Sequence, residues 1–175
     1  EIFDKIGYFN ENLVCSQDIE FNLRLQKADG KILLVPDIVV YYYSRSVLKE
    51  VFKHRFKDGL WAVYPMKFVS HLPVRLRHLV PLFFVMGLFG TLILSFFVSA
   101  FFYLFMAIVV SYLLASFYFS SKIAVSEKDS RYLLVMPFVF FTLHFSYGLG
   151  SVLGLAKCVV SKQFWGNFRI ILRTL

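Results

Sequence analysis

The middle of this sequence lacks charged residues over a stretch longer than is found in ordinary soluble domains. Residues 79–121 are 43 consecutive residues without Lys, Arg, Asp or Glu. Of all 175 residues, 17% are charged, 58% are hydrophobic and 19% are aromatic. Disordered chains are poor in hydrophobic residues, so this composition excludes disorder. We predict a membrane protein with a polar first part.

Cysteine is scarce in this sequence, and an initial methionine is missing. Two cysteines, Cys15 and Cys158, lie on opposite sides of the long apolar stretch and indicate no disulfide framework or zinc site, so we predict free thiols. The chain does not begin with Met, and we expect it to be a fragment of a longer protein. Its apolar segments are too long and too late for a secretory signal peptide.

The apolar stretches predict three membrane spans. One helix of 43 residues would be ~65 Å long, about twice the hydrocarbon thickness of a bilayer. Two helices joined by a turn at residues 98–100 fit better. We therefore predict spans at 79–98, 101–121 and 132–156.

Basic residues predict the orientation but leave one conflict. Residues 45–78 contain eight Lys or Arg and two acidic residues, which by the positive-inside rule keeps this flank in the cytoplasm. The tail, 157–175, has four bases and no acid and prefers the same side, whereas three crossings put it outside. Either residues 147–151 form a re-entrant hairpin, or one of the first two segments lies flat.

The polar part predicts a mixed fold. Residues 16–30 predict a helix that Ser16 caps and that Gly30 ends in the left-handed conformation. Residues 31–43 are rich in β-branched and aromatic residues and are interrupted by Pro36, which predicts two short strands or one broken edge strand. We therefore predict an α/β part followed by an all-α transmembrane region of about three helices.

A second helix, residues 46–58, is predicted to begin at Ser46 and to be closed by Gly59. It has an apolar stripe and a lysine at every fourth position, so we predict that it lies on the anionic cytoplasmic leaflet. The alternative is a solvated helix of a globular domain. Trp61 follows as an interfacial aromatic residue.

Carboxylates concentrate at Asp18 and Glu20. On a helix, Glu20 and Arg24 are four residues apart and form an ion pair, while Asp18 lies in the first turn, where the helix dipole favours an anion. Spacing alone therefore gives both residues a structural explanation.

One ordered set of residues runs through positions 7–61. Its members are Gly7, Phe9, Glu11, Asp18, Glu20, Phe21, Asn22, Arg24, Gly30, Arg45, Ser46, Gly59 and Trp61. In order and spacing over roughly sixty residues, this set resembles the C-terminal part of the catalytic domain of glycosyltransferase family 2, most of all its ExoA-like, succinoglycan-type bacterial members. Membrane segments follow, as in that group.

The resemblance implies a GT-A nucleotide-sugar-binding fold, a divalent cation (Mg or Mn) and inversion at the anomeric carbon. It makes Asp18 the general base that deprotonates the acceptor hydroxyl. Gln17 departs from the family, which has Glu there. The remaining implied site residues are Gly7, Phe9, Glu11 and Gln17 in the acceptor loop, and Glu20, Asn22 and Arg24 in support, with Arg24 holding the loop.

The basic residues Arg45, Lys49, Lys53, Arg55 and Lys57, with Trp61, are expected to contact a diphosphate or the membrane surface. The sequence contains no Asp-x-Asp. We therefore expect the metal ligands upstream of residue 1, no metal site in this fragment, and no transfer by the fragment alone.

The resemblance implies a multi-pass enzyme of the bacterial cytoplasmic membrane, active in cell-envelope or exopolysaccharide synthesis, with its catalytic part in the cytoplasm. Its partners would be a nucleotide-sugar donor, a lipid-linked saccharide acceptor and the membrane, and no nucleic acid. The expected regions are a catalytic part (1–62), a basic linker (63–78), spans (79–156) and a basic tail (157–175). Alternatives are a non-catalytic membrane subunit or degenerate paralogue, or a small transporter or scaffold.

Overall fold

The computed structural model describes residues 2–43, 45–69 and 74–174. Two short 3-10 helices, Tyr64–Lys67 and Leu76–Leu79, flank the gap before the first apolar helix. The α-helices are α1 (Ile2–Ile6), α2 (Gln17–Lys27), α3 (Leu48–Val63), α4 (Val80–Ser95), α5 (Ala100–Glu127), α6 (Tyr132–Val159) and α7 (Lys162–Thr174).

The predicted α/β class is wrong, because the described residues contain helices and no strand. Residues 31–43 have no regular secondary structure apart from a turn at Pro36 and Asp37, and they form no ladder with any other described residues. A strand needs a second extended segment for its ladder of hydrogen bonds, and the described part of the chain offers none. The side chains of this segment are accordingly exposed, up to 93% at Tyr43.

Helix α2 lies where the sequence predicts it, but its ends are built differently. Ser16 occupies the N-cap in a left-handed conformation (φ 63°), and its side chain makes no capping bond. At the other end the left-handed residue is Asp29 (φ 56°) and not Gly30. Gly30 is needed for space instead, since a Cβ there would lie 2.2 Å from Leu25 Cδ1.

Three helices are long and apolar enough to cross a membrane: Leu76–Ser95, Ala100–Glu127 and Tyr132–Val159. The chain is therefore a multi-pass membrane protein. Helices α4 and α5 are separated at residues 96–99, close to the predicted turn. Helix α6 is continuous through Pro137 and through residues 147–151, so a re-entrant hairpin at that place is wrong.

Helix α3 runs past its predicted end because Gly59 is a packing residue, not a helix stop. A Cβ on Gly59 would lie 1.9 Å from the carbonyl oxygen of Tyr147, and one on Gly150 would lie 2.0 Å from that of Phe56. Ser151 Oγ donates a hydrogen bond to the carbonyl of Gly59 (3.0 Å). Small residues allow such close approach of two helix backbones. Helix α3 is thus packed along the second half of α6.

The predicted basic tail contains an amphipathic helix, α7, that packs beside the segment preceding α4. Phe164 and Ile171 are buried in one cluster with Val63 and Met66. Asn167 Nδ2 donates to the carbonyl of Lys67 (2.9 Å). Three complete crossings would put these two segments on opposite sides of a bilayer. Their contact therefore favours an arrangement in which at least one of the three apolar helices is not a complete crossing.

Candidate functional site

Arg24 ties α2 to the loop that precedes it. Its Nε donates to Glu20 Oε1 (2.7 Å) and its Nη2 to Glu20 Oε2 (3.0 Å), which is the ion pair that the spacing predicts. The same guanidinium donates to the carbonyls of Ile6 and Tyr8, the latter at 2.8 Å. Glu20 is only 2% exposed, so its charge is held by this two-pronged contact.

The loop is also held by aromatic packing. Phe9 stacks on Phe21 at 4.7 Å between ring centroids, and Phe3 lies 5.4 Å from the same ring. Gly7 has φ +77°, a conformation that favours glycine. Glu11 and Asn22 are exposed. The predicted loop residues therefore have an ordered setting around Arg24 and Phe21.

Asp18 lies exposed in the first turn of α2. Its carboxylate makes no hydrogen bond or ion pair with the residues that the structure describes, while the neighbouring Gln17 side-chain amide is engaged with the carbonyl of Leu13. Asp18 thus has an accessible acceptor group beside a fixed amide.

A surface groove of about 450 Å³ lies between Cys15, in the loop before α2, and the basic face of α3. It brings Cys15 together with residues of the range 45–58, which lie at least thirty positions later in the sequence. Its lining consists of Cys15, Arg45, Glu50, Lys53, His54, Lys57 and Asp58. Three of the predicted basic residues, Arg45, Lys53 and Lys57, therefore line one groove with Cys15, which precedes Asp18 by three residues in the sequence.

The groove has more positive charge than its own carboxylates balance. Asp58 is already paired with His54 Nδ1 (3.0 Å) and Arg55 Nη1 (3.3 Å). Lys53 and Lys57 form no ion pair within the described ranges. Arginine and lysine contacts of this kind suit a phosphate or diphosphate.

Other predicted basic residues lie elsewhere. Lys49 lines a separate shallow pocket with Phe52 and Thr142. Arg55 reaches pockets beside His144 and Tyr147 of α6. Trp61 packs edge-on against Tyr64, at 5.5 Å between centroids, beyond the groove.

Sequence reasoning missed His54 and Cys15. The spacing of His54 to Asp58, four residues on a helix, was a usable signal. For Cys15 no local signal existed, because its partners belong to a distant helix.

The described residues hold no group of three or more His, Cys, Asp or Glu that could bind a metal ion. The divalent cation that the resemblance implies therefore has no fitting ligand set in this part of the chain. Comparisons of the chain with family models, curated proteins and solved structures found no match.

Proposed function

We propose that the protein is a membrane-anchored inverting glycosyltransferase that moves a sugar from a nucleotide-sugar donor to a lipid-linked or polysaccharide acceptor at the cytoplasmic membrane face. The observation that carries the proposal is the basic groove between Cys15 and α3. Cys15 lines this groove and is three residues from Asp18 in the sequence, so we infer that a diphosphate site and the candidate base lie close together. The motif resemblance over residues 7–61 supplies the reaction type.

In the proposed reaction, the acceptor hydroxyl attacks the anomeric carbon while the bond to the departing diphosphate breaks on the opposite face. Asp18 receives the hydroxyl proton as the new bond forms. An ordinary aspartate is a weak base, so its contribution is correct placement at a proton that becomes acidic late in transfer. Arg45, Lys53 and Lys57 would stabilise charge on a diphosphate carried by the donor or by the lipid.

The packing of α3 on α6 supports a lipid-linked acceptor. Because the groove is built on α3, it is held at a fixed distance from a membrane helix. A diphosphate at the end of a lipid chain would reach such a groove without leaving the bilayer. The excess of basic residues at 45–78 supports the cytoplasmic side.

Asp18→Asn in the intact protein tests the base. We expect sugar transfer from labelled nucleotide sugars into membrane lipid to fall by at least about 100-fold, the usual contribution of a general base. Asp29→Asn is the matched control, because Asp29 is an exposed aspartate at the other end of α2 and Asn tolerates its left-handed conformation. Unchanged transfer by the Asp18 variant would remove the base assignment.

The groove is tested separately by Lys53→Gln combined with Lys57→Gln. Loss of their charges should raise the KM for the diphosphate-bearing substrate, whereas Lys31→Gln, an exposed lysine outside the groove, should not. An unchanged KM in the double variant would contradict diphosphate binding.

A non-catalytic membrane subunit is the second candidate. It is favoured by Gln17, whose amide bonds to the Leu13 carbonyl where the resembled family has a carboxylate. In that case the wild-type protein would transfer no sugar by itself, and Asp18→Asn would leave the activity of its partner enzyme unchanged.

A further inference from the structure

Helix α7 has one face buried in the protein and an opposite face that the described part of the chain leaves uncovered. Phe164 is 2% exposed and Ile171 is 1% exposed. Lys162, Trp165 and Arg169 are exposed, and their spacing of three and then four residues puts them on one side of the helix. The uncovered face therefore presents an indole ring between two cations.

Two contacts place α7 where apolar helices begin and end. Trp165 Nε1 donates to the carbonyl of Val159 (2.9 Å), the last residue of α6. The buried face of α7 packs in one cluster with Leu82, in the first turn of α4, and with Cys158, in the last turn of α6. Tryptophan is enriched at the membrane–water interface, at the ends of membrane helices. This position favours a place for α7 at the level of the lipid headgroups.

The positive charge of the uncovered face is not balanced by the protein around it. Residues 130–175 contain no Asp or Glu. Lys162 and Arg169 make no ion pair with the residues that the structure describes. Basic residues beside a membrane helix are attracted to anionic phospholipids. The charge of this face is therefore complementary to an anionic membrane surface.

Gly166 leaves a gap between the two cations. It follows Lys162 by four residues and precedes Arg169 by three, so it lies on the same side of the helix. A Cβ on Gly166 would meet nothing within 4 Å, whereas one on Gly59 would meet the carbonyl of Tyr147. Packing within the described protein thus gives no reason for this glycine, which destabilises a helix interior relative to alanine. The bare backbone instead gives room for a group that approaches from outside.

We propose that the uncovered face of α7 binds the phosphate of an anionic phospholipid, which lies over Gly166 between Lys162 and Arg169, with the Trp165 ring beside it. Lysine contacts a phosphate as a point charge, and arginine can donate two parallel hydrogen bonds. Inorganic phosphate offers the same oxygens without acyl chains, and we assign the lipid because α7 lies at the ends of apolar helices. This site is independent of the proposed sugar transfer.

Lipid competition tests the contact with the two cations. The intact protein in detergent is titrated with an equimolar mixture of phosphatidylglycerol and phosphatidylcholine, and the bound lipids are counted by native mass spectrometry. Lys162→Gln with Arg169→Gln should weaken phosphatidylglycerol binding by about fivefold for each lost charge, so that one such lipid fewer is retained. Lys27→Gln with Lys31→Gln removes two exposed charges from the polar part and should bind as the wild type does.

Gly166→Leu tests the gap without changing the charge. It should also reduce phosphatidylglycerol binding, because the new side chain occupies the place of the phosphate. Its thermal stability should not fall, since leucine is the better helix former and the Cβ has free space. Loss of lipid without loss of stability separates a binding role of this face from a structural one.

Trp165 reports which lipid is its neighbour. Its emission is the difference between the wild type and Trp165→Phe in mixed bilayers in which only one of the two lipids is brominated. Bromine on phosphatidylglycerol should quench this emission more than bromine on phosphatidylcholine. Equal quenching by the two lipids, or full phosphatidylglycerol binding by the double variant or by Gly166→Leu, would overturn the proposal. Displacement of the lipid by inorganic phosphate beyond that by sodium chloride at the same ionic strength would assign the site to a free anion instead.

Discussion

The two halves of α6 are both apolar, but the first exposes large side chains and the second packs against α3. In the first half, large side chains face outward: Leu134 is 72% exposed and Phe138 70%. In the second half, small residues are buried: Ser146 and Ser151 have no exposed surface, and Gly150 touches the backbone of α3. Lipid is as apolar as leucine, so bulky residues gain little by choosing a protein partner. Small residues specify the partner because they let backbones meet.

The helix that follows the second half of α6, α7, predicts that the segments before α3 and after α6 lie on the same side of the membrane. Because α7 packs beside Lys67, cysteines placed before α3 and after α6 should react from the same side of the membrane. We expect Lys31→Cys and Gln163→Cys, both exposed, to be labelled alike by a membrane-impermeant maleimide in intact cells. A Cys15→Ser background removes the half-exposed thiol, and Cys158 is buried. Labelling from opposite sides would refute the contact between α7 and the 3-10 helix.

Gly150→Ala should disrupt the packing of the second half of α6 against α3. The added Cβ would meet the Phe56 carbonyl at 2.0 Å, so α3 must move, and overpacking of this kind costs about 3 kcal/mol of the free energy of unfolding. Gly90→Ala on α4 is the matched control, because nothing lies within 4 Å of its Cβ. Thermal unfolding in detergent, followed by size-exclusion fluorescence, compares the two. Equal stability of both variants would mean that the close approach does not hold α3.

Ser151→Ala should have a smaller effect on the same surface. It removes the bond to Gly59, and such bonds between membrane helices contribute about 0.6 kcal/mol. Leu134→Ala, in the lipid-facing half, should change the melting temperature less than Ser151→Ala does. The reverse order would contradict the division of α6 into two functional halves.

Features set by local sequence were predictable. The apolar helices follow from length and composition, and the Glu20–Arg24 pair follows from helix spacing. Helix α7 was also predictable, because Phe164, Phe168 and Ile171 recur at helical spacing. The prediction for this tail used only its positive charge and did not include the helix.

Features set by distant contacts were not predictable. Gly59 resembles a helix stop until α6 lies against it, and residues 31–43 have strand propensity without a partner to pair with. The basic groove depends on Cys15 meeting α3, which no periodicity encodes. Propensity describes a segment, whereas these contacts depend on where the rest of the chain goes.

The pairing of α3 with α6 also sets an order in time. Gly59 and Ser151 are 92 residues apart, so at roughly 5–20 residues per second the ribosome completes the partner surface about 5–20 s after α3 has emerged. During that interval the face that carries Phe56, Leu60 and Val63 has no protein to cover it. An amphipathic helix with lysines on its other face is suited to wait on the membrane surface. The amphipathic pattern of α3 therefore suits the interval during synthesis in which α3 exists and α6 does not.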